Sequence, residues 1–123
     1  MTIQELYETI GGNYQHALQI LKMDKLIDRY VRKLESSGVD QALVAARETM
    51  DPKALFEAAH GMKGICANLG LDDLAAAAEV ITEEYRPGNT RKMSDEAVNE
   101  KLDEITEMYQ RTLEGIRRYV AES

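Results

Sequence analysis

Asp51-Pro52-Lys53-Ala54-Leu55-Phe56-Glu57-Ala58-Ala59-His60-Gly61-Met62-Lys63-Gly64-Ile65-Cys66-Ala67-Asn68-Leu69-Gly70 carries the signals for both ends of a helix within itself. Asp51 offers the side-chain oxygen that an N-cap needs. Pro52, at the first helical position, lacks an N–H that would have no partner there, and its backbone angle is already set for a helix. Gly70 fits the left-handed residue that ends such a helix, with Leu71 placed to pack back on the last turn. The spacing therefore predicts a helix running from Asp51 to about Leu69. Nothing in the chain shows the alternating pattern of a half-buried strand.

A helix with fixed ends gives every side chain a direction. With His60 at 0° and about 100° per residue, Leu55, Ala58, Met62, Ile65, Cys66 and Leu69 fall between about 140° and 240°, which is the expected core face. Phe56, Glu57, Lys63, Gly64, Ala67 and Asn68 fall within about 80° of the histidine. His60 is thus expected to face away from the core. The plain reading of an exposed histidine is a surface residue without a role, and His16, alone on a short polar helix, receives that reading. Three details set His60 apart. Gly64 lies one turn beyond it, where a mid-helix glycine costs ~1 kcal/mol relative to alanine unless something must come close. Gly61 adds a second such cost, and Phe56 and Ala67 leave apolar surface around the imidazole.

Outward from this helix the pattern stays helical. Residues 2–10 place Ile3, Leu6, Tyr7 and Ile10 at helical spacing before Gly11-Gly12, and residues 13–21 resume with Tyr14, Ala17, Leu18 and Leu21. Both pieces are short for independent helices and are expected to lie across one end of a larger bundle. Asp24 is the expected N-cap of a helix bearing Leu26, Ile27, Tyr30, Val31 and Leu34, ended by Ser36-Ser37-Gly38. Asp40 opens a helix toward Met50. Beyond Gly70, Asp72-Asp73 supplies acid to the first turn of a helix from Leu74 to about Tyr85, which Arg86-Pro87-Gly88 ends. Residues 86–93 form the longest loop. Ser94-Asp95-Glu96 then caps a last helix through Val98, Leu102, Ile105, Tyr109, Thr112, Ile116 and Tyr119, with Arg117 and Arg118 near its C-terminal end. Four substantial elements result: 24–36, 40–69 with a break near Asp51, 71–86 and 95–121. Each must bury one apolar stripe. The expected fold is all-α, an antiparallel four-helix bundle over 24–121 with two short helices in 1–22, within a single domain 1–123.

Composition excludes several functions. A formal charge of -7 argues against nucleic acid or an anionic membrane as the main partner, since either needs a basic face. One cysteine and two histidines leave no internal disulfide and no ligand set for a metal, and Cys66 is placed on the core side. No Gly-rich nucleotide loop occurs. No stretch approaches the ~20 apolar residues of a membrane span. The N-terminal residues are neither basic nor followed by an apolar run of signal-peptide length. A cytoplasmic protein without cofactor or metal is the expectation.

An imidazole of pKa near 6.5 is largely neutral at pH 7, so one ring nitrogen is a free nucleophile. A solvent-facing histidine could take a phosphoryl group from a partner that carries the phosphate-binding apparatus. Lys63, three residues on, lies in reach to offset the added charge, and Gly64 clears a space for that partner. His60-Gly61-Met62-Lys63-Gly64 followed by Asn68-Leu69-Gly70 resembles the motif of histidine-containing phosphotransfer (HPt) domains. The N-terminal segment Glu5-Leu6-Tyr7 … Gly11-Gly12 is similar to that of small stand-alone bacterial members, so the resemblance covers nearly the whole chain.

The resemblance implies a four-helix bundle that relays a phosphoryl group between response-regulator receiver domains, with a hybrid histidine kinase as a further partner. It implies His60 as phosphoacceptor and Lys63 as the cation that steadies the phosphate. Phe56, Glu57, Gly64, Ala67 and Asn68 would line the docking surface. Mg²⁺ would belong to the receiver, and a carrier that must expose this face is more simply a monomer. Gly61 departs from the Thr, Ser or Arg of many relatives. The chemotaxis-kinase form has a supporting histidine on the next helix, where this chain offers only Glu79, Thr82 and Glu83. Two rivals stand beside the carrier: a module of the same fold that docks a receiver without transfer, and an unrelated helical adaptor using Met23, Met50, Met62, Met93 and Met108 as adaptable contacts.

Overall fold

The computed structural model describes all 123 residues and contains seven α-helices, one 3₁₀ turn and no strand. The helices are α1 (Ile3–Ile10), α2 (Tyr14–Leu21), α3 (Asp24–Lys33), α4 (Val39–Thr49), α5 (Pro52–Asn68), α6 (Asp72–Glu84) and α7 (Asp95–Glu122), with the 3₁₀ turn at Glu35–Ser37. The all-α expectation holds.

The ends of α5 form as its residues dictate. The Asp51 carboxylate accepts the Ala54 N–H at 3.0 Å. At the far end Gly70 sits at φ 68°, the Leu71 N–H donates to the Cys66 carbonyl at 2.9 Å, and the Gly70 N–H donates to Ala67 at 3.1 Å. This paired closure satisfies carbonyls that the helix itself cannot, and turns the chain tightly into α6. Ser94 caps α7 through the Ala97 N–H at 3.0 Å. Asp24 does not act as a cap. Met23 occupies that position without a side-chain bond, and Asp24, already helical, accepts the Tyr14 hydroxyl instead. That bond ties α2 to α3, a tertiary contact that outcompetes the local one. Arg117 likewise leaves the helix end and grips Glu35 with two hydrogen bonds.

The bundle has four columns, but the chain divides among them differently from the sequence expectation. The break near Asp51 is a full reversal: Met50 adopts φ 54°, and Leu43, Val44 and Met62 line one small cavity, so α4 and α5 lie antiparallel. The bend at Leu34–Gly38 is the milder one. There α3 and α4 run on along α7, with Tyr119 bonded to Asp28, Tyr109 to the Leu34 carbonyl, and Arg47 to Asn99 and Asp103. One column is thus α3 plus α4, and the others are α5, α6 and α7. At about 1.5 Å per residue, α7 is roughly 42 Å long, enough to back both halves of that bent column.

The two N-terminal helices close the end of the bundle where α5 turns into α6. The Tyr7 hydroxyl donates to the Leu69 carbonyl at 2.6 Å, and the Asn13 N–H donates to the Gly70 carbonyl at 2.7 Å. A Cβ on Gly70 would lie 2.4 Å from the Asn13 carbonyl oxygen, so backbone packs directly on backbone there. Gly115 makes room for α1 differently, since a Cβ there would overlap the Ile10 side chain. One continuous core of buried side chains runs through all seven helices, from Leu6 and Tyr7 to Tyr119. No helix is long and apolar enough to cross a membrane.

Candidate functional site

His60 lies near the middle of α5 with its side chain exposed. The buried line of that helix is Leu55, Ala59, Met62 and Cys66, and Leu69 follows at its end. Ala58 and Ile65, expected in the core, are only half-buried, while Ala59 is fully enclosed. The physical reason is α6. It buries three alanines, Ala75, Ala77 and Ala78, and small side chains on both helices suit the close packing of α5 on α6 in which Ala59 is enclosed. His60 stays outside, on a face that α6 borders.

Two contacts from α5, one to α6 and one to Arg86 just past its end, bracket the histidine. One turn before it, the Phe56 ring stacks on the imidazole, with centroids 5.5 Å apart and planes 11° from parallel, and the Arg86 guanidinium lies over the same phenyl ring at 5.4 Å. One turn after it, the Lys63 ammonium meets the Glu79 carboxylate at 2.7 Å. The approach is an ion pair off the hydrogen-bonding line, as that carboxylate oxygen has no hydrogen-bond partner. Arg86 is in turn held by Glu83 at 2.8 Å. Both cations beside His60 are therefore paired with a carboxylate on α6. Thr82, between those two glutamates, is buried and donates to the Ala78 carbonyl, so it presents nothing to the histidine.

The ring of His60 has no hydrogen-bonding partner; His16, bonded to Asp72 at 2.7 Å, is the histidine so engaged. No neighbour fixes its tautomer, and no base stands behind it to activate it. Such a group is chemically able to take up a group from a reactive donor. The Arg86 bond holds the Glu83 carboxyl below the usual carboxylate range, with a smaller effect from Glu79, and Arg86 is raised in return. Burial pushes the Cys66 thiol up to about 12, which leaves it protonated and inert. No group of three or more His, Cys, Asp or Glu side chains is arranged to hold a metal ion.

The other predicted residues gather on the same face. Glu57, Gly64 and Asn68 are exposed, and Ala67 is half-buried. A Cβ added to Gly64 or Gly61 would meet nothing within 4 Å, and neither glycine has a left-handed backbone. Internal packing therefore requires neither of them. Beyond Asn68 the surface falls into an apolar groove of about 390 Å³ whose lining includes Ile20, Tyr30, Leu34, Ile65 and Leu69. Sequence reasoning missed three parts of this face: Arg86, the Glu79 partner of Lys63, and the wall that α2 and α3 give the groove. Arg86 read as a helix terminator. A signal did exist, because the tight turn at Gly70 fixes which residues of α6 oppose those of α5.

The family model described as the Hpt domain matches residues 23–115 of the chain. No significant match was found among curated proteins or among solved structures. The matched residues run from α3 into the last third of α7 and include His60, Lys63, Glu79 and Arg86; α1 and α2, with the α2 wall of the groove, lie before them.

Proposed function

The chain belongs to the Hpt domain family, whose members are phosphotransfer modules of phosphorelay systems, and from this we propose that it is a phosphocarrier with His60 as its phosphoacceptor. The observation that carries the reading is the empty space at Gly64. Two mid-helix glycines beside an exposed imidazole have no internal cause, so their helix cost of ~1 kcal/mol each is best accounted for by a partner that comes close.

The chemistry needs little from this chain. A lone pair on a neutral ring nitrogen attacks the phosphorus of an aspartyl phosphate on a receiver domain. The bond from phosphorus to the aspartate oxygen breaks, and that oxygen keeps the electron pair as a free carboxylate. A P–N bond takes its place, while the other ring nitrogen keeps its proton. The same exchange in reverse delivers the group to a second receiver. Mg²⁺ and the acidic pocket are assigned to the receiver, and this chain to the role of intermediate. Lys63, one turn from His60, is the first cation in reach of the added charge. The groove beside Asn68 offers apolar surface for the receiver's own side chains, with α2 forming part of its wall.

The test is to mix the protein with a phosphorylated receiver domain and measure acid-labile, base-stable phosphate on it. Wild type is expected to become labelled and His60→Gln to remain blank. Equal labelling of the two would remove the carrier reading. Tight binding of receiver with no label on either would favour the docking module that transfers nothing.

A further inference from the structure

We infer that Glu79 is a positioning residue for the phosphohistidine: it holds Lys63 against α6 while His60 is free, and competes with the phosphoryl group for that lysine once His60 is loaded. The inference rests on the reading of His60 as phosphoacceptor and concerns the same face.

The geometry makes the competition unavoidable. Phe56 and Lys63 lie seven residues apart on α5; Lys63 meets Glu79 on α6, and Phe56 meets Arg86, two residues past the end of α6. Seven residues on α5 is about two turns, so His60 lies between the two contacts. Lys63 and Glu79 are each about one-third exposed, at 36% and 33%, so neither is locked in place. Glu83 is engaged with Arg86 and Asn89 and does not replace Glu79 as the partner of Lys63. Before phosphorylation two ion pairs balance on this face, Lys63 against Glu79 and Arg86 against Glu83, while Glu57 adds one unpaired negative charge that wild type and variants share. A phosphoryl group adds about -1.5 to -2 near pH 7 and three strong acceptor oxygens. Lys63 is then claimed by two anions, and an ammonium on a flexible four-carbon stem can swing between them.

The consequence is a carrier whose hold on its cargo is moderated. With Glu79 present, Lys63 stabilises the phosphoryl group only by the difference between the two anions. That weakens the resting complex and leaves the group easier to pass on. A partly exposed ion pair has an interaction worth a factor of about two to five in an equilibrium constant.

The experiment loads His60 chemically with phosphoramidate, a small phosphoryl donor that needs no receiver, and follows the phosphohistidine by ³¹P NMR as pH is varied. A cation at hand lowers the pH at which the phosphoryl group takes up its proton. Glu79→Gln is expected to strengthen that acid by about two- to fivefold relative to wild type. In a Lys63→Gln background the same substitution should have at most half that effect, because only the direct repulsion of the carboxylate remains. No shift in the wild-type background, or the same shift in both, would overturn the inference. Transfer to a receiver is measured separately, so a loaded protein that passes nothing on counts against the carrier reading and not against Glu79. Circular dichroism of each variant shows that the bundle is intact.

Discussion

Gly64 is under opposed demands. Within the helix it is a defect, since replacing it with alanine removes backbone freedom from the unfolded chain and adds a residue that favours the helix. The structure leaves room for the change, because a Cβ there meets nothing within 4 Å. Gly64→Ala is therefore expected to raise stability by about 0.5–1 kcal/mol in urea unfolding, and to slow phosphoryl exchange with a receiver by about tenfold, since small misplacements of reacting groups have large effects on rate. A variant that gains stability at no loss of transfer would mean that the space has no occupant. Cys66 gives a contrasting case. Its burial and raised thiol pKa of about 12 predict no reaction with a thiol reagent at pH 8 in the native protein, and rapid reaction in urea; native reactivity would contradict the packing of α5 against the core. His60's outward direction was legible because one helical phase fixes it once both helix ends are known. Arg86 was not legible by the same route. Its position over Phe56 depends on the register between two helices, and a period within one helix holds no information about that.

The turn at Gly70 is the element on which the site's geometry depends. It ends α5, starts α6 and receives α2 from outside, so the register that brings Glu79 to Lys63 is set there. A side chain at this position has two separate difficulties: the backbone sits at φ 68°, and the Cβ would lie 2.4 Å from the Asn13 carbonyl and 2.9 Å from the Ala17 nitrogen. Neither neighbour is a flexible side-chain end, so the strain and the overlap add. Gly70→Ala is expected to destabilise the protein by about 2–4 kcal/mol in chemical unfolding, several times the effect of most exposed substitutions. A loss under about 0.5 kcal/mol would show that α2 can move away from the turn at little cost. This turn, the Asp51-Pro52 start and the Ser94 cap were all readable from sequence, because each depends on residues within a few positions of one another. The pairing of α3 with α4 in one column was not. Ser36-Ser37-Gly38 and Met50-Asp51-Pro52 both read as breaks, and only contacts with α7 decide that the first is a bend and the second a reversal.

At the scale of the whole molecule, pH acts through the excess of acid. The chain has 22 Asp and Glu residues against 15 Lys and Arg, so mild acidification first relieves self-repulsion and further acidification leaves only positive charge. Carboxylates held below their ordinary range work against the second step. Glu84 is the most enclosed of them, at 7% exposure. Burial by itself raises its pKa, but this is outweighed by the Met93 N–H at 2.9 Å, the Arg91 guanidinium at 3.0 Å and the Lys92 N–H at 3.0 Å, and the net shift is downward. These bonds fasten the loop of residues 86–93 back onto the end of α6, which is also where Arg86 is held. The sign follows from the direction of the shift. A folded pKa below the unfolded value of 4.5 means that the ionised carboxylate stabilises the fold above that pH, and that this stability is lost as pH falls through the folded pKa. Glu84→Gln keeps the shape but turns an acceptor-only group into one that presents donors to other donors. It is expected to lower the melting temperature clearly at pH 7, and the gap from wild type is expected to narrow as melts are taken down to pH 3. Glu100→Gln, at an exposed position on α7, is the control for the loss of one negative charge. A gap for Glu84→Gln that stays constant from pH 7 to pH 3 would show that the loop is held by its shape and not by the charge of this carboxylate.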